Sequence, residues 1–268
     1  MTDSGARFVG TNAEAYHRFL GPMFFGPYAR DLATRVARHA PESVLEIACG
    51  TGIVTIRLAD ALPDAAIVAT DLNQPMIDFA RGVVPAHPQL SWQQADACAL
   101  PFPDGVFDAV VMQFGIMFVP DKLLALQEAR RVLRAGGRMH FNVWDRVEAN
   151  PSAGATRDTM HRLVPGDWSS FYDVPFGFHD QEMLRRLLGE AGFHDIALET
   201  VTLQARALSA RDAATGLVTG TPVMAALREL GVTDLEPIID AVAAAIAREG
   251  GTAPFQVPMQ AIVISALA

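Results

Sequence analysis

Glu46, Gly50, Gly52 and Asp71 are the residues whose types and spacing carry the clearest chemistry in this chain of 268 residues. Glu46 lies in Val44-Leu45-Glu46-Ile47-Ala48-Cys49-Gly50-Thr51-Gly52, whose apolar start suits a buried parallel strand and whose glycines break it at once. Glycine permits a tight turn and leaves no Cβ between backbone and ligand. A second apolar run, Ala65 to Ala69, leads to Asp71, whose two carboxylate oxygens suit both hydroxyls of a ribose. Ligands of open α/β sheets bind beyond the carboxyl ends of the strands, so the two segments together describe a nucleoside pocket. A dinucleotide fingerprint would need a third glycine, and Gly50-Thr51-Gly52-Ile53-Val54-Thr55 puts Thr55 there. Glu46, just before the turn, is an awkward neighbour for a pyrophosphate and suits a cationic or amino-bearing ligand.

These residues need a sheet to hold them, and the hydrophobic pattern supplies one. Residues 11–40 read as a helical lead-in, Asn12 to Leu20 and Pro27 to His39, split by Leu20-Gly21-Pro22. Alternation follows: strand 44–48, helix 53–61, strand 66–70, helix 74–82, strand 90–94, strand 107–113, helix 121–134 and strand 138–144. Strands alternating with helices through short connections imply a parallel sheet covered on both faces. Asn73 with Pro75 reads as an N-cap and first-turn proline. After Asp145 the regularity changes. Residues 150–178, rich in proline, glycine and aromatics, hold a helix from Ala153 to Leu163 and are long for a plain connector, as lids are. Asp180 to Ala191 reads as a helix ended by Gly192, Ile196 to Gln204 as a strand, and 209–250 as two or three helices, the last Leu235 to Arg248. Gln256 to Leu267 has the near-continuous apolar character of an interior strand.

Four spaced segments carry a family resemblance. Glu46 to Gly52 resembles motif I of the class I S-adenosylmethionine-dependent methyltransferases, especially the branch with the menaquinone/ubiquinone C-methyltransferases. Gln94-Ala95-Asp96-Ala97 is similar to the family's adenine-contacting segment. Leu100-Pro101-Phe102-Pro103-Asp104 with Phe107-Asp108-Ala109-Val110 resembles the stretch into its fourth strand. Val132 to Arg138 resembles the glycine turn before its fifth. The match covers about residues 40–145; Ala48, where many relatives have glycine, is small enough for the turn.

The resemblance implies a Rossmann-like α/β fold: a seven-stranded sheet, mostly parallel with the last strand antiparallel, helices on both faces, and a helical lid or insertion. It implies an N-terminal helical cap over 1–40 and a donor-binding core over 41–148. Substrate or lid insertions would fill 149–178 and 209–252, and the remaining core 179–208 and 253–268. The implied cofactor is S-adenosyl-L-methionine. Ala48, Cys49, Gly50, Thr51 and Gly52 would hold its methionine part, with Glu46 near the ammonium, directly or through water. Asp71 would take the ribose diol, and Leu72 and Met76 would flank the adenine. Asp96 and the Ala97 amide would meet the adenine edge, and Gln113 and Phe114 would lie beside the methionine chain and sulfonium.

Methyl transfer from a sulfonium needs proximity and alignment, and a base only where the nucleophile must lose a proton. No strong catalytic signature is present. Candidates are Tyr16 and His17 on the lead-in helix, which in such enzymes often closes over the cofactor, and Trp144 and Asp145 at the end of the fifth strand; Tyr28 is similar to the first pair. His140 reads as a core histidine. His161, Trp168, Phe171, Tyr172, Phe176 and Phe178 form either an aromatic pocket or the core of a small helical domain; His179 with Asp180 reads as a helix start.

The expected function is methyl transfer to O, N or C of a small, apolar or aromatic acceptor, with residues 209–250 able to supply a greasy channel. The runner-up is a quinone-type C-methyltransferase. A donor-binding protein without transfer activity is the alternative from another class, and a nicotinamide oxidoreductase stands third. The net charge of −9 and pI near 5.2 argue against a nucleic-acid partner. No apolar run spans a bilayer, and MTDSGARFVG lacks the pattern of a signal peptide, so a cytoplasmic enzyme without stable membrane association is expected. Cys49 and Cys98, the two cysteines, exclude a disulfide framework or a cysteine-rich zinc site, and read as small apolar fillers; no metal is expected. Oligomeric state stays open, a homodimer included.

Overall fold

The computed structural model describes residues 13–166 and 168–268. Asn12, the expected start of the lead-in helix, and the N-terminal segment read for a leader lie outside the described residues. A seven-stranded sheet forms from β1 (Ser43–Glu46), β2 (Ala66–Asp71), β3 (Leu90–Gln94), β4 (Phe107–Gln113), β5 (Leu133–Trp144), β6 (His194–Ala207) and β7 (Phe255–Leu267), in the order β3-β2-β1-β4-β5-β7-β6. The strands from β3 to β5 pair in parallel. β7 runs against β5: Gly136 donates to the Ala268 carbonyl and Asp145 to that of Gln260, so the register advances on one strand as it retreats on the other. The order turns back between β1 and β4, which is the switch point at which such sheets bind ligands. The expected fold class is therefore the observed one, its last strand antiparallel as expected.

Two compact units divide the chain. The first comprises Ala29–Val143, Phe178–Val201 and Ala261–Ala268. Its core joins Val44, Ile67, Ala109, Val111 and Val263 of the strands to Leu32 and Val36 of helix Gly26–Ala37 and to Val54 and Leu58 of helix Ile53–Ala61. Burial on both faces explains why these strands read as continuous apolar runs. The second unit, residues 13–28 with Trp144–Gly177 and Thr202–Gln260, is mainly helical. Helix Glu236–Gly250 packs on Ala210–Thr219 and Pro151–Leu163. Gly216 allows Ala210–Thr219 to approach the lead-in closely, since a Cβ there would stand 2.6 Å from Phe19 Cβ.

Several expectations are corrected. The lead-in is not split at Leu20-Gly21-Pro22: Tyr16–Phe25 is a π-helix that runs straight into Gly26–Ala37. Pro22 has no N–H to give, and the wider winding, closed by Gly26 N–H to Gly21 O, carries the chain past it. The turn expected at Val132 to Arg138 is instead the start of β5, because the Gly137 carbonyl accepts from Ala268 N–H at 2.8 Å and pulls this segment into the sheet. The mismatch is absorbed as an irregularity between Phe107 and Ala109 of β4, and the preceding helix stops at Val132. Within 149–178 a second helix, Ser169–Phe176, follows Pro151–Leu163 and runs through Pro175. Three helices occupy 209–250, namely Ala210–Thr219, Val223–Glu229 and Glu236–Gly250. Asn73 stands at the N-cap, but its side chain makes no capping bond.

Candidate functional site

β1 ends at Glu46, and the chain then turns sharply. Ala48, Gly50 and Gly52 hold φ of 56°, 54° and 81°, a left-handed region that costs an L-residue about 1–2 kcal/mol. The strained turn is fastened from three sides. Ile47 N–H donates to Val111 O of β4 and Cys49 N–H to Thr70 O of β2, each at 2.8 Å, and Gly50 N–H donates to Asp71 Oδ2 at 2.9 Å. Gly52 is required by packing as well, since a Cβ would stand 2.4 Å from Val84 Cγ2. Beyond Gly50 nothing lies within 4 Å of where a Cβ would be, which leaves the backbone of the turn open to a ligand.

Asp71 closes β2 with 7% of its surface exposed. Oδ1 accepts from Asn73 N–H at 2.8 Å and from the Asn73 side-chain amide at 3.4 Å, and Oδ2 accepts from Gly50 N–H at 2.9 Å. Burial raises its pKa and the bonds from Asn73 and Gly50 oppose the rise, so the charged form has partners in the fold. Oδ2, with one donor, keeps lone-pair capacity for another. Next to it, Leu72 is 45% exposed while Met76 is buried.

Glu46, 1% exposed, accepts from Thr55 Oγ1 at 2.6 Å, in the first turn of helix Ile53–Ala61. Burial pushes its carboxyl up to about 8; the Thr55 bond opposes this and the Asp71 charge adds to it. Cys49 is buried beside both acids and its thiol is pushed well up, which fits the filler reading.

On the β3 side, Asp96 is exposed and its Oδ1 accepts from Cys98 N–H at 2.8 Å, fixing a tight turn in which Ala97 is buried. Gln94 Nε2 donates to Leu72 O at 2.8 Å and joins this turn to the end of β2. At the end of β4, Phe114 takes φ 50°, held by Asn142, whose Oδ1 accepts the Phe114 N–H at 3.0 Å. The next residue must be small, because a Cβ on Gly115 would stand 2.7 Å from Ala48 Cβ. Gln113 pairs in register with Asn142. Glu46, the Ala48–Gly52 turn, Asp71, Asp96, Ala97, Gln113 and Phe114 thus belong to the carboxyl ends of β1 to β4 within one unit. Asn142 was not foreseen, since its role depends on a strand pairing that single-sequence patterns do not show.

In the helical unit the other candidates gather around Trp144, at the end of β5. Tyr28 and Phe24 meet its ring edge-on at 5.5 and 6.2 Å, and Phe25 and Phe176 lie at 6.2 and 6.1 Å. Tyr16 stacks on Phe25 at 4.8 Å, while the Tyr28 hydroxyl donates to Met259 O at 3.0 Å. Phe24 and Phe25 were missed, because a helix read with a 3.6 period and broken at Pro22 hides the shared face. The six lid aromatics do not form one pocket. Only Phe176 joins Trp144; Trp168 pairs with Phe171, and Phe178 belongs to the sheet unit, under Lys122. Tyr172 is buried, which raises its phenol, and His161 is exposed. Asp145 accepts from the Arg146 amide, and His17 is half-buried, which lowers its basicity. His140 is a core residue as expected, pushed down to about 3 by burial and by the stacked His39, the Arg138 charge and the Arg35 charge.

The donor set fits a nucleoside-bearing amino acid: an open backbone turn, a buried carboxylate at the end of β2, a second acid before the turn, and a small polar turn on the neighbouring strand. Comparison with known proteins agrees. A methyltransferase-domain family profile matches residues 44–137. A demethylmenaquinone methyltransferase from Thermus thermophilus is 32% identical over 65% of this chain and 83% of its own. Its counterpart from Deinococcus radiodurans is 40% identical over 62% and 73%. Among solved structures, a Haemonchus contortus phosphoethanolamine N-methyltransferase 2 in complex with S-adenosyl-L-methionine has a TM-score of 0.60 at 15% identity, covering 99% of this chain and 57% of that one, which carries the fold alone. This chain belongs to the class I S-adenosylmethionine-dependent methyltransferases, with S-adenosylmethionine as its methyl donor.

Proposed function

We propose that the enzyme methylates a small, flat, apolar or aromatic molecule at O, N or C, and that the rings around Trp144 receive this acceptor. The observation that carries the reading is the exposure of those rings. Trp144 and Tyr28 are buried, but Tyr16, Phe24, Phe25 and Phe176 are half-buried and present aromatic surface. Aromatic pairs favour edge and offset contacts worth about 0.5–1.5 kcal/mol beyond area, a geometry a planar ligand can extend. The π-helix that carries three of these rings supports the same reading, because such windings gather at functional sites.

When bound, S-adenosylmethionine supplies a methyl carbon already activated on a sulfonium. The chain's contribution is then binding and alignment. In this reading Asp71 holds the ribose hydroxyls, the Ala48–Gly52 backbone holds the methionine part, and Glu46 faces its ammonium. Leu72 and Met76 flank the adenine while Asp96 and Ala97 meet its edge, and Phe114 and Gln113 line the sulfonium end. His17, kept neutral by burial, is able to take a proton from an acidic acceptor, with Tyr16 beside it and Asp145 next to Trp144.

A quinone-type ring as acceptor is the second reading, favoured by the two demethylmenaquinone methyltransferases named above. The domain division follows the same logic, with the 1–40 cap, 149–178 and 209–252 serving the acceptor and the rest the donor. A cytoplasmic location fits the charge and the lack, among the described residues, of any helix long and apolar enough to cross a membrane. Turnover of a panel of small phenols, amines and demethylated quinones, followed by mass spectrometry, tests the proposal. Methylation of an aromatic member is expected. Tight binding of S-adenosylhomocysteine with no turnover of any member would favour a non-catalytic donor-binding protein instead.

A further inference from the structure

Glu46 carries an acid into the interior without a counter-ion. Among the described residues no salt bridge involves it, and the charged and titratable groups that act on it are Asp71 at the end of β2 and Cys49 in the turn, neither of them a cation. Its backbone is pinned as well, with Thr70 Oγ1 donating to Glu46 O at 2.8 Å. The carboxyl group's hydrogen-bond partner is the Thr55 hydroxyl, at 2.6 Å in the first turn of the helix. Thr55, itself fully buried, stands where a dinucleotide-binding turn would have its third glycine.

We infer that Thr55 is a positioning residue for donor binding, its hydroxyl holding the buried Glu46 carboxyl in place and ready to ionise for the ammonium group of the donor. The inference rests on the reading above that Glu46 faces that ammonium. A buried acid lacking a cation favours its neutral form; an incoming ammonium favours the charged one. Binding therefore removes one proton from the Glu46 carboxyl to the solvent, and the carboxylate left behind balances the ligand's charge. Losing the hydroxyl removes a bond to the charged form, so ionisation moves to higher pH and binding at neutral pH weakens.

The test is titration calorimetry with S-adenosylhomocysteine between about pH 6 and pH 9, in buffers of different ionisation enthalpy. The wild-type protein is expected to release close to one proton near neutral pH and to bind more tightly as pH rises toward about 8. Thr55→Val is expected to bind about tenfold more weakly near pH 7, with the gap closing to about twofold near pH 9, as a shift of about one pKa unit requires. Thr55→Ser should recover the wild-type pH profile. Thermal melts of both variants separate these effects from loss of fold. A Val-to-wild-type ratio that stays constant with pH, or binding without proton release, overturns the inference. Glu46→Gln separates the two levels. Unchanged affinity there sinks the ammonium reading itself, whereas weakened binding in Glu46→Gln with an unaffected Thr55→Val sinks the role of Thr55 alone.

Discussion

Asp71 and Trp144 stand at the ends of two strands of one sheet, and they illustrate two ways of preparing a surface for a ligand. Asp71 is held by two backbone N–H groups, from Gly50 and Asn73, and by the Asn73 side-chain amide, and its orientation is fixed before anything binds. Trp144 is surrounded by four rings at 5.5 to 6.2 Å, contacts that depend on area and shape rather than on single atoms. Point recognition fails when one atom is removed. Recognition by rings degrades gradually and can be retuned. The donor is common to a large family while acceptors vary, and the two constructions match those two demands.

The largest expected effect breaks the polar side. Asp71→Ala should weaken S-adenosylhomocysteine binding by about 100-fold, roughly 3 kcal/mol, through loss of two charged hydrogen bonds and loosening of the Gly50 turn. Retained affinity by calorimetry would show that the ribose is held elsewhere. Next is Gly52→Ala, where one methyl group meets Val84 at 2.4 Å in a left-handed backbone. A loss of about 2–3 kcal/mol of stability is expected in denaturant unfolding, and a change below about 0.5 kcal/mol would contradict the packing argument.

A pH series sharpens the contrast further. Glu46 is raised from 4.5 to about 8 in the fold, and Asp71 is raised too. A folded state that keeps a proton the unfolded chain gives up is favoured at low pH. The contribution is whole below about pH 4.5 and is lost as pH climbs through about 8. The ligand-free protein should therefore lose up to about 1.4 kcal/mol per pH unit from Glu46 across this window, and Glu46→Gln should flatten the slope. An unchanged slope in the variant would assign the dependence to other groups. The smallest effect belongs to the rings: Phe176→Leu should raise the acceptor KM by about fivefold, near 1 kcal/mol, with S-adenosylhomocysteine affinity unaltered. Equal losses in both would make Phe176 a structural residue rather than an acceptor wall.

The same contrast explains what could be read from the chain. The proposed donor end is written in residue types at fixed spacing, with glycines at 50 and 52 where the backbone is left-handed and an acid at 71 buried at the end of β2. The parallel sheet followed from alternation because both faces of the sheet are covered, whereas the antiparallel last strand followed from the resemblance. Asn142 was invisible because its partner Phe114 lies across a strand pairing. The start of β5 was read as a turn because its glycines suggest one, whereas the terminal strand pairs there through Ala268. Phe24 and Phe25 were passed over because the break read at Leu20-Gly21-Pro22 left both outside the two expected helices.

The π-winding of Tyr16–Phe25 sets the angular phase of the ring cluster. Tyr16 and Phe25 are nine positions apart, and at 3.6 residues per turn they would point to opposite sides of the helix. With bonds that reach one residue further back, each residue turns through a smaller angle, and the two rings come to stack at 4.8 Å. The face is thus addressed by winding as well as by sequence. Relaxing this segment to an ordinary α-helix would leave every residue in the chain and dissolve the aromatic face, so Pro22, which has no N–H for the tighter ladder, helps to keep the face proposed for the acceptor.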